Sequence, residues 1–78
     1  MQDVEFLKFV VENLVKNKED IVIDKQVDEL GVLLTLKVNK EDMGVVIGKG
    51  GNIVSAIRSL LKIVGSKTNQ KINLKVLD

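Results

Sequence analysis

Val46-Ile47-Gly48-Lys49-Gly50-Gly51-Asn52-Ile53-Val54-Ser55-Ala56-Ile57 is a glycine-rich break, carrying one cation, between two apolar segments of helical spacing. Upstream, Met43, Val46 and Ile47 sit at i, i+3 and i+4. Downstream, Ile53, Ile57, Leu60, Leu61 and Val64 sit at i, i+4, i+7, i+8 and i+11, one face of a helix. A helix passes through glycine at a cost of about 1 kcal/mol each relative to alanine. Gly48, Gly50 and Gly51 therefore predict a turn at residues 48–51 and a second helix starting at about Gly51 or Asn52.

A helix that starts there exposes unpaired backbone N–H groups and the positive end of its dipole. Glycines let a ligand's backbone approach closely, and Lys49 adds a charge at the tip. Such a loop suits an anion, above all a phosphate. Two familiar phosphate loops do not fit. A Walker A loop needs four residues between its glycines and Ser or Thr after the lysine, but three residues separate Gly44 from Gly48, and Gly50 follows Lys49. A dinucleotide fingerprint needs glycine at position 53, which is Ile, and a strand before the loop, where the spacing is helical.

Seventy-eight residues make one domain, 1–78, with a small core. The absence of cysteine removes disulfides and thiolate metal sites and suits a cytoplasmic location. No apolar run approaches the roughly 20 residues needed to span a bilayer, and no signal peptide is visible. Formal net charge is +1, unevenly distributed. Residues 1–39 hold five lysines against eight acids, net −3, whereas residues 40–78 hold seven cations against three acids, net +4. The glycine loop lies in the basic half.

In chain order, Asp3 is a cap for a helix over about residues 4–16, with Val4, Leu7, Val11 and Leu14 as its stripe, widened by Phe6, Val10 and Val15. Ile21–Val27 and Val32–Val38 are expected strands around a turn at Asp28–Gly31, forming a hairpin. Asn39 is an N-cap for a short helix over about 40–47, and the helix after the loop is expected to run from about 52 to a stop at Gly65. A polar loop, Ser66–Gln70, leads to a last strand in which Ile72, Leu74 and Val76 alternate with Asn73 and Lys75. The helical crossover lets the second and third strands lie parallel and adjacent. The expected architecture is α+β, with a three-stranded mixed sheet and three helices on one face.

The apolar pair Val46-Ile47, the Gly-x-x-Gly of Gly48–Gly51, and apolar Val54 and Ile57 at +3 and +6 resemble the signature of KH domains, whose loop clamps the backbone of about four single-stranded nucleotides. The order α-β-β-α-α-β resembles the type II KH arrangement over essentially the whole chain. Its length, the lead-in Glu41-Asp42-Met43-Gly44 and the ending Val76-Leu77-Asp78 resemble the small bacterial stand-alone KH proteins of the KhpA (YlqC) type. That resemblance implies single-stranded RNA binding, a role as RNA chaperone or post-transcriptional regulator, and pairing with a second KH protein of the KhpB (Jag) type or as a homodimer. Asn52 stands where KhpA-type proteins usually carry Arg or Lys, which removes one charge from the phosphate site.

The candidate RNA-binding residues are Ile47, Gly48, Lys49, Gly50, Gly51, Asn52, Ile53 and Arg58. Gly48–Gly51 form the clamp and Lys49 a phosphate contact. Ile53 is the candidate for the base-facing surface, and Arg58, two helical turns beyond Gly51, for a phosphate or base edge. Ile47, Val54 and Ile57 also read as core. Leu33, Ile63 and Leu77 fall outside the apolar faces and are candidates for a subunit interface.

Catalysis has little support. Histidine and cysteine are absent, Ser55, Ser59 and Ser66 have no evident activating partner, and Glu41 and Asp42 read as helix-start residues. Neither a cofactor, a metal nor a small-molecule substrate is indicated. Phe6 and Phe9 are the only aromatics, so no stacking platform is expected and affinity alone should reach about 1 μM at best. The alternative is a protein-interaction module on a KH scaffold with incidental RNA contact, to which the +1 charge and Asn52 lend weight.

Overall fold

A computed structural model describes residues 2–67 and 69–77, with all of their side chains except those of Gln2 and Lys49. Thr68 in the expected polar loop, and Met1 and Asp78 at the limits of the expected domain, lie outside the described residues.

Three strands form one sheet in the order β1-β2-β3. β1 (Val22–Asp28) and β2 (Gly31–Lys37) make the expected hairpin, antiparallel, with Ile23 opposite Leu36 and Val27 opposite Val32. Its tight turn is held by the Asp28 carboxylate, which accepts the Leu30 N–H (2.8 Å) and the Gly31 N–H (3.2 Å). β3 (Ile72–Val76) lies parallel to β2, with Leu34 opposite Leu74. Side chains alternate between the faces, so Val32, Leu34, Leu36, Ile72 and Leu74 all point to one side and are buried. Leu33, Lys37, Asn73 and Lys75 occupy the other, open face.

The buried sheet face is covered by α1 (Gln2–Glu12) and α2 (Lys40–Ser66). Leu7 and Val11 from α1 and Val46, Val54, Ile57 and Leu61 from α2 complete the core with no more than 6% of their surface exposed. α2 is assigned as one helical segment of 27 residues, where two helices and a loop were expected. It is not one straight rod. At 1.5 Å per residue it would extend about 40 Å, whereas the longest dimension of the molecule is 34 Å. The break falls where the glycines predicted it, since φ is +72° at Gly50 and +87° at Gly51. Two consecutive left-handed residues cannot continue a right-handed helix. α2 therefore has two arms, residues 40–49 and 52–66, and with α1 they supply the three helices of the expected α-β-β-α-α-β order.

Several boundaries differ from expectation, those of the two hairpin strands by one residue each. α1 begins at Gln2, so Asp3 lies inside the first turn rather than before it, and α1 ends at Glu12 rather than near residue 16. After Glu12 the Asn13 and Leu14 amides bond three residues back, and those of Lys16 and Asn17 turn to a side chain of α2. A short 3₁₀ turn, Lys18–Asp20, precedes β1 and had no sequence signal. At the other end, α2 runs one residue past Gly65. That glycine serves close packing, because a Cβ there would collide with the Gln70 carbonyl as the chain doubles back.

Candidate nucleic-acid interface

The first arm of α2 begins as its sequence demands. The Asn39 side chain accepts the Glu41 N–H at 2.8 Å as a helix cap and donates to Asp20 at 2.9 Å. The arm buries Val46 and delivers the chain to Gly48. A Cβ at Gly48 would lie 3.1 Å from Ile53 Cδ1, so this position stays small because the second arm folds back against it. At Gly50 and Gly51 the positive φ selects glycine, and nothing lies within 4 Å of where a Cβ would be. The outer side of the loop is therefore open backbone, and the second arm restarts behind it with the amides of a helix N-terminus.

A cleft of about 350 Å³ begins at the loop. Ile47 and Gly51 form its upper end, Val54 and Arg58 one wall, and Leu74, Lys75 and Val76 of β3 the other. β3 is an edge strand, paired only with β2, so this wall is backbone edge as well as side chain. The Arg58 guanidinium spans the cleft and donates to the Leu74 carbonyl at 3.2 Å. An open glycine loop leads into an aliphatic groove bordered by a strand edge and one arginine.

The model of the KhpA/KhpB KH domain matches residues 4–76. The chain belongs to the KhpA/KhpB KH-domain family. It is 43% identical to RNA-binding protein KhpA of Listeria monocytogenes over 95% of this chain and 97% of the relative. The corresponding figures are 37%, 94% and 97% for RNA-binding protein KhpA of Clostridium perfringens, and 34%, 97% and 93% for that of Borreliella burgdorferi. The α+β architecture above is thus a KH fold.

On this KH framework the sequence-derived residues separate. Ile47, Gly51 and Arg58 line the cleft. Gly48 and Gly50 belong to the loop above it, and the Lys49 side chain lies outside the described residues. Asn52 is exposed on the first turn of the second arm. Ile53 does not line the cleft: its side chain packs across the loop against Gly48 and joins the edge of the core. Val54, one residue on and so rotated by about 100°, takes the groove position that Ile53 was expected to fill. Ile47, read also as core, is 42% exposed.

The β3 edge is the part of the cleft that sequence reasoning missed, because nothing local in Ile72–Val76 says which edge of the sheet a helix will flank. A second omission is Asp42. Expected at a helix start, it is buried, and its Oδ1 accepts the Lys16 N–H while Oδ2 accepts the Asn17 N–H and Asn17 Nδ2, each at 3.0 Å. The Lys16 amide, against the opposing effect of desolvation, and then the Asn17 donors hold this carboxylate below its ordinary 3.8. Asp3 is also buried. Burial acts to raise its pKa, but the Lys25 ammonium, 3.2 Å from Oδ1 and 3.0 Å from Oδ2, and the Val4 N–H outweigh it and leave the carboxylate lowered. Both acids sit in the scaffold away from the cleft.

Among the described residues no helix is long and apolar enough to cross a membrane, and no group of three or more potential ligands could hold a metal ion.

Proposed function

We propose that this protein binds single-stranded RNA. The loop Gly48-Lys49-Gly50-Gly51 holds the phosphate backbone, and the cleft below it takes the bases. What carries this reading is the continuity of the two: Gly51 belongs both to the open, positive-φ loop and to the lining of a 350 Å³ groove, at the lower end of the range for ligand clefts (about 300–1,000 Å³). A groove of that size suits a few extended nucleotides, not a duplex. Relatives named RNA-binding protein KhpA cover nearly the whole chain, which supports the same reading. Asn52 leaves Lys49 as the one cation within the loop and its first flanking turn.

The protein acts in the cytoplasm as an RNA chaperone or post-transcriptional regulator, without enzymatic activity. It works with a second KH protein of the KhpB (Jag) type or as a homodimer, because linkage to a second site raises the effective concentration of a weak groove. Fluorescence anisotropy with a pool of short labelled single-stranded RNAs tests the clamp. Wild type is expected to bind at about micromolar Kd or weaker, and Lys49→Asp/Gly50→Asp to abolish binding with an unchanged circular dichroism spectrum. Normal binding by that folded double variant would refute the clamp.

A second reading has an observation of its own. Leu60 and Ile63 on the second arm of α2 are 43% and 60% exposed, a surface suited to a protein partner. A complex with a KH partner that persists at high salt, while RNA affinity stays negligible, would favour an interaction module, because phosphate binding weakens with salt.

A further inference from the structure

The backbone groups of β3 divide between its two sides. The Val32 N–H donates to the Lys71 carbonyl at 2.7 Å and the Leu77 N–H to the Leu36 carbonyl at 2.8 Å. With Val32, Leu34 and Leu36 opposite Ile72, Leu74 and Val76 in parallel register, the odd-numbered residues direct their backbone groups to β2. Those of Ile72, Leu74 and Val76 face the outer edge, along the cleft. The Leu74 carbonyl on that edge is already occupied by Arg58, at 3.2 Å.

This single hydrogen bond changes what the groove can read. A bare edge carbonyl would accept the N6 amino group of adenine or the N4 amino group of cytosine. With Arg58 on it, one of the carbonyl's two lone pairs is taken and the guanidinium crowds the other, while the same place offers further N–H donors from a rigid five-donor fork. Those donors match the O6 of guanine or the O4 of uracil, and they oppose an amino group donor to donor. No aromatic residue lines the cleft to supply sequence-blind stacking, so hydrogen-bond matching carries a larger share of discrimination.

We infer that Arg58, by capping the Leu74 edge carbonyl, makes the cleft select keto bases (guanine and uracil) over amino bases (adenine and cytosine). The inference rests on the RNA-binding reading above and names the specificity of the same groove.

Labelled r(UUUU) and r(CCCC) are the probes, since their bases differ in the exchange of O4 for an amino group, with N3 changing from donor to acceptor beside it. Wild type is expected to bind r(UUUU) about tenfold more tightly than r(CCCC). In Arg58→Ala the ratio should fall to one or invert, because the Leu74 carbonyl becomes free to accept an amino group. Arg58→Lys, which restores a donor, should recover part of the uracil preference. A purely structural role for Arg58 would lower both affinities and leave their ratio unchanged. Equal binding of both RNAs by wild type, or an unaltered preference in folded Arg58→Ala, overturns this inference and leaves the clamp standing. Failure of wild type to bind either RNA at low salt overturns the RNA-binding reading and this inference with it.

Discussion

At Asp42 three donors from Lys16 and Asn17, in the segment after α1, converge on one carboxylate, and the chain between α1 and β1 is thereby tied to the first turn of α2. Because the folded pKa is depressed, the stabilisation is complete above the unfolded value of 3.8 and is lost as pH falls from there through the lower folded value. Asp3, also lowered, contributes in the same direction. Melting temperature measured against pH should therefore drop below about pH 4, and Asp42→Asn should lower stability at neutral pH while flattening that acid slope. The loop gives a second residue-scale test. Gly50→Ala meets open space but a φ of +72°, so it should cost about 1–2 kcal/mol from the backbone alone. Gly44→Ala, exposed inside the first arm with no positive φ, should stabilise by about 0.5–1 kcal/mol in urea unfolding.

Among the elements, α2 carries the most structure per residue, since its two arms roof the core and frame the cleft. The helical spacing of its second arm was legible, but its apolar residues outnumber its buried positions. Leu61 is fully buried and Leu60 is 43% exposed, although both fit the apolar face written by spacing alone. Adjacent residues on a helix diverge by about 100°, and only the position of the sheet decides which of them turns inward. Leu61→Ala should cost about 2–5 kcal/mol in urea unfolding and Leu60→Ala about 0.5 kcal/mol or less. Comparable costs would mean that the arm is rotated from the orientation described. The same rotational ambiguity exchanged Ile53 for Val54 in the cleft.

Across the whole molecule the charge is divided, with the glycine loop and β3 in the half of net charge +4 and α1 and the hairpin in the half of net charge −3. With a net charge of only +1, the proposed phosphate contact at the loop would have little general field behind it. A clamp that engages about four nucleotides, and so about three phosphates, should give a slope of log K against log salt of about −2. Lys49→Ala should make that slope shallower by about 0.7. A much steeper wild-type slope would mean that RNA contacts extend beyond the loop. The candidate interface residues do not form one patch, since Leu33 and Leu77 are partly exposed at the sheet, whereas Ile63 is on the helical layer. A single partner surface can engage the helical side or the sheet side, not all three residues together.

Local chemistry was enough for the order of elements, the hairpin, the Asn39 cap and the position of the break at Gly50–Gly51, because turn residues, caps and periodicity act within a few residues of sequence. The family signature rested on the same short-range pattern. Tertiary structure alone decided where α1 ends, because Asp42 takes the Lys16 and Asn17 amides across a separation of 26 and 25 residues. It also decided that Ile47 and Val54, not Ile53, border the cleft, and that Arg58 meets the Leu74 carbonyl. These features arise from the docking of one element against another, and helix rotation and sheet-edge choice are set by the packing of the whole core.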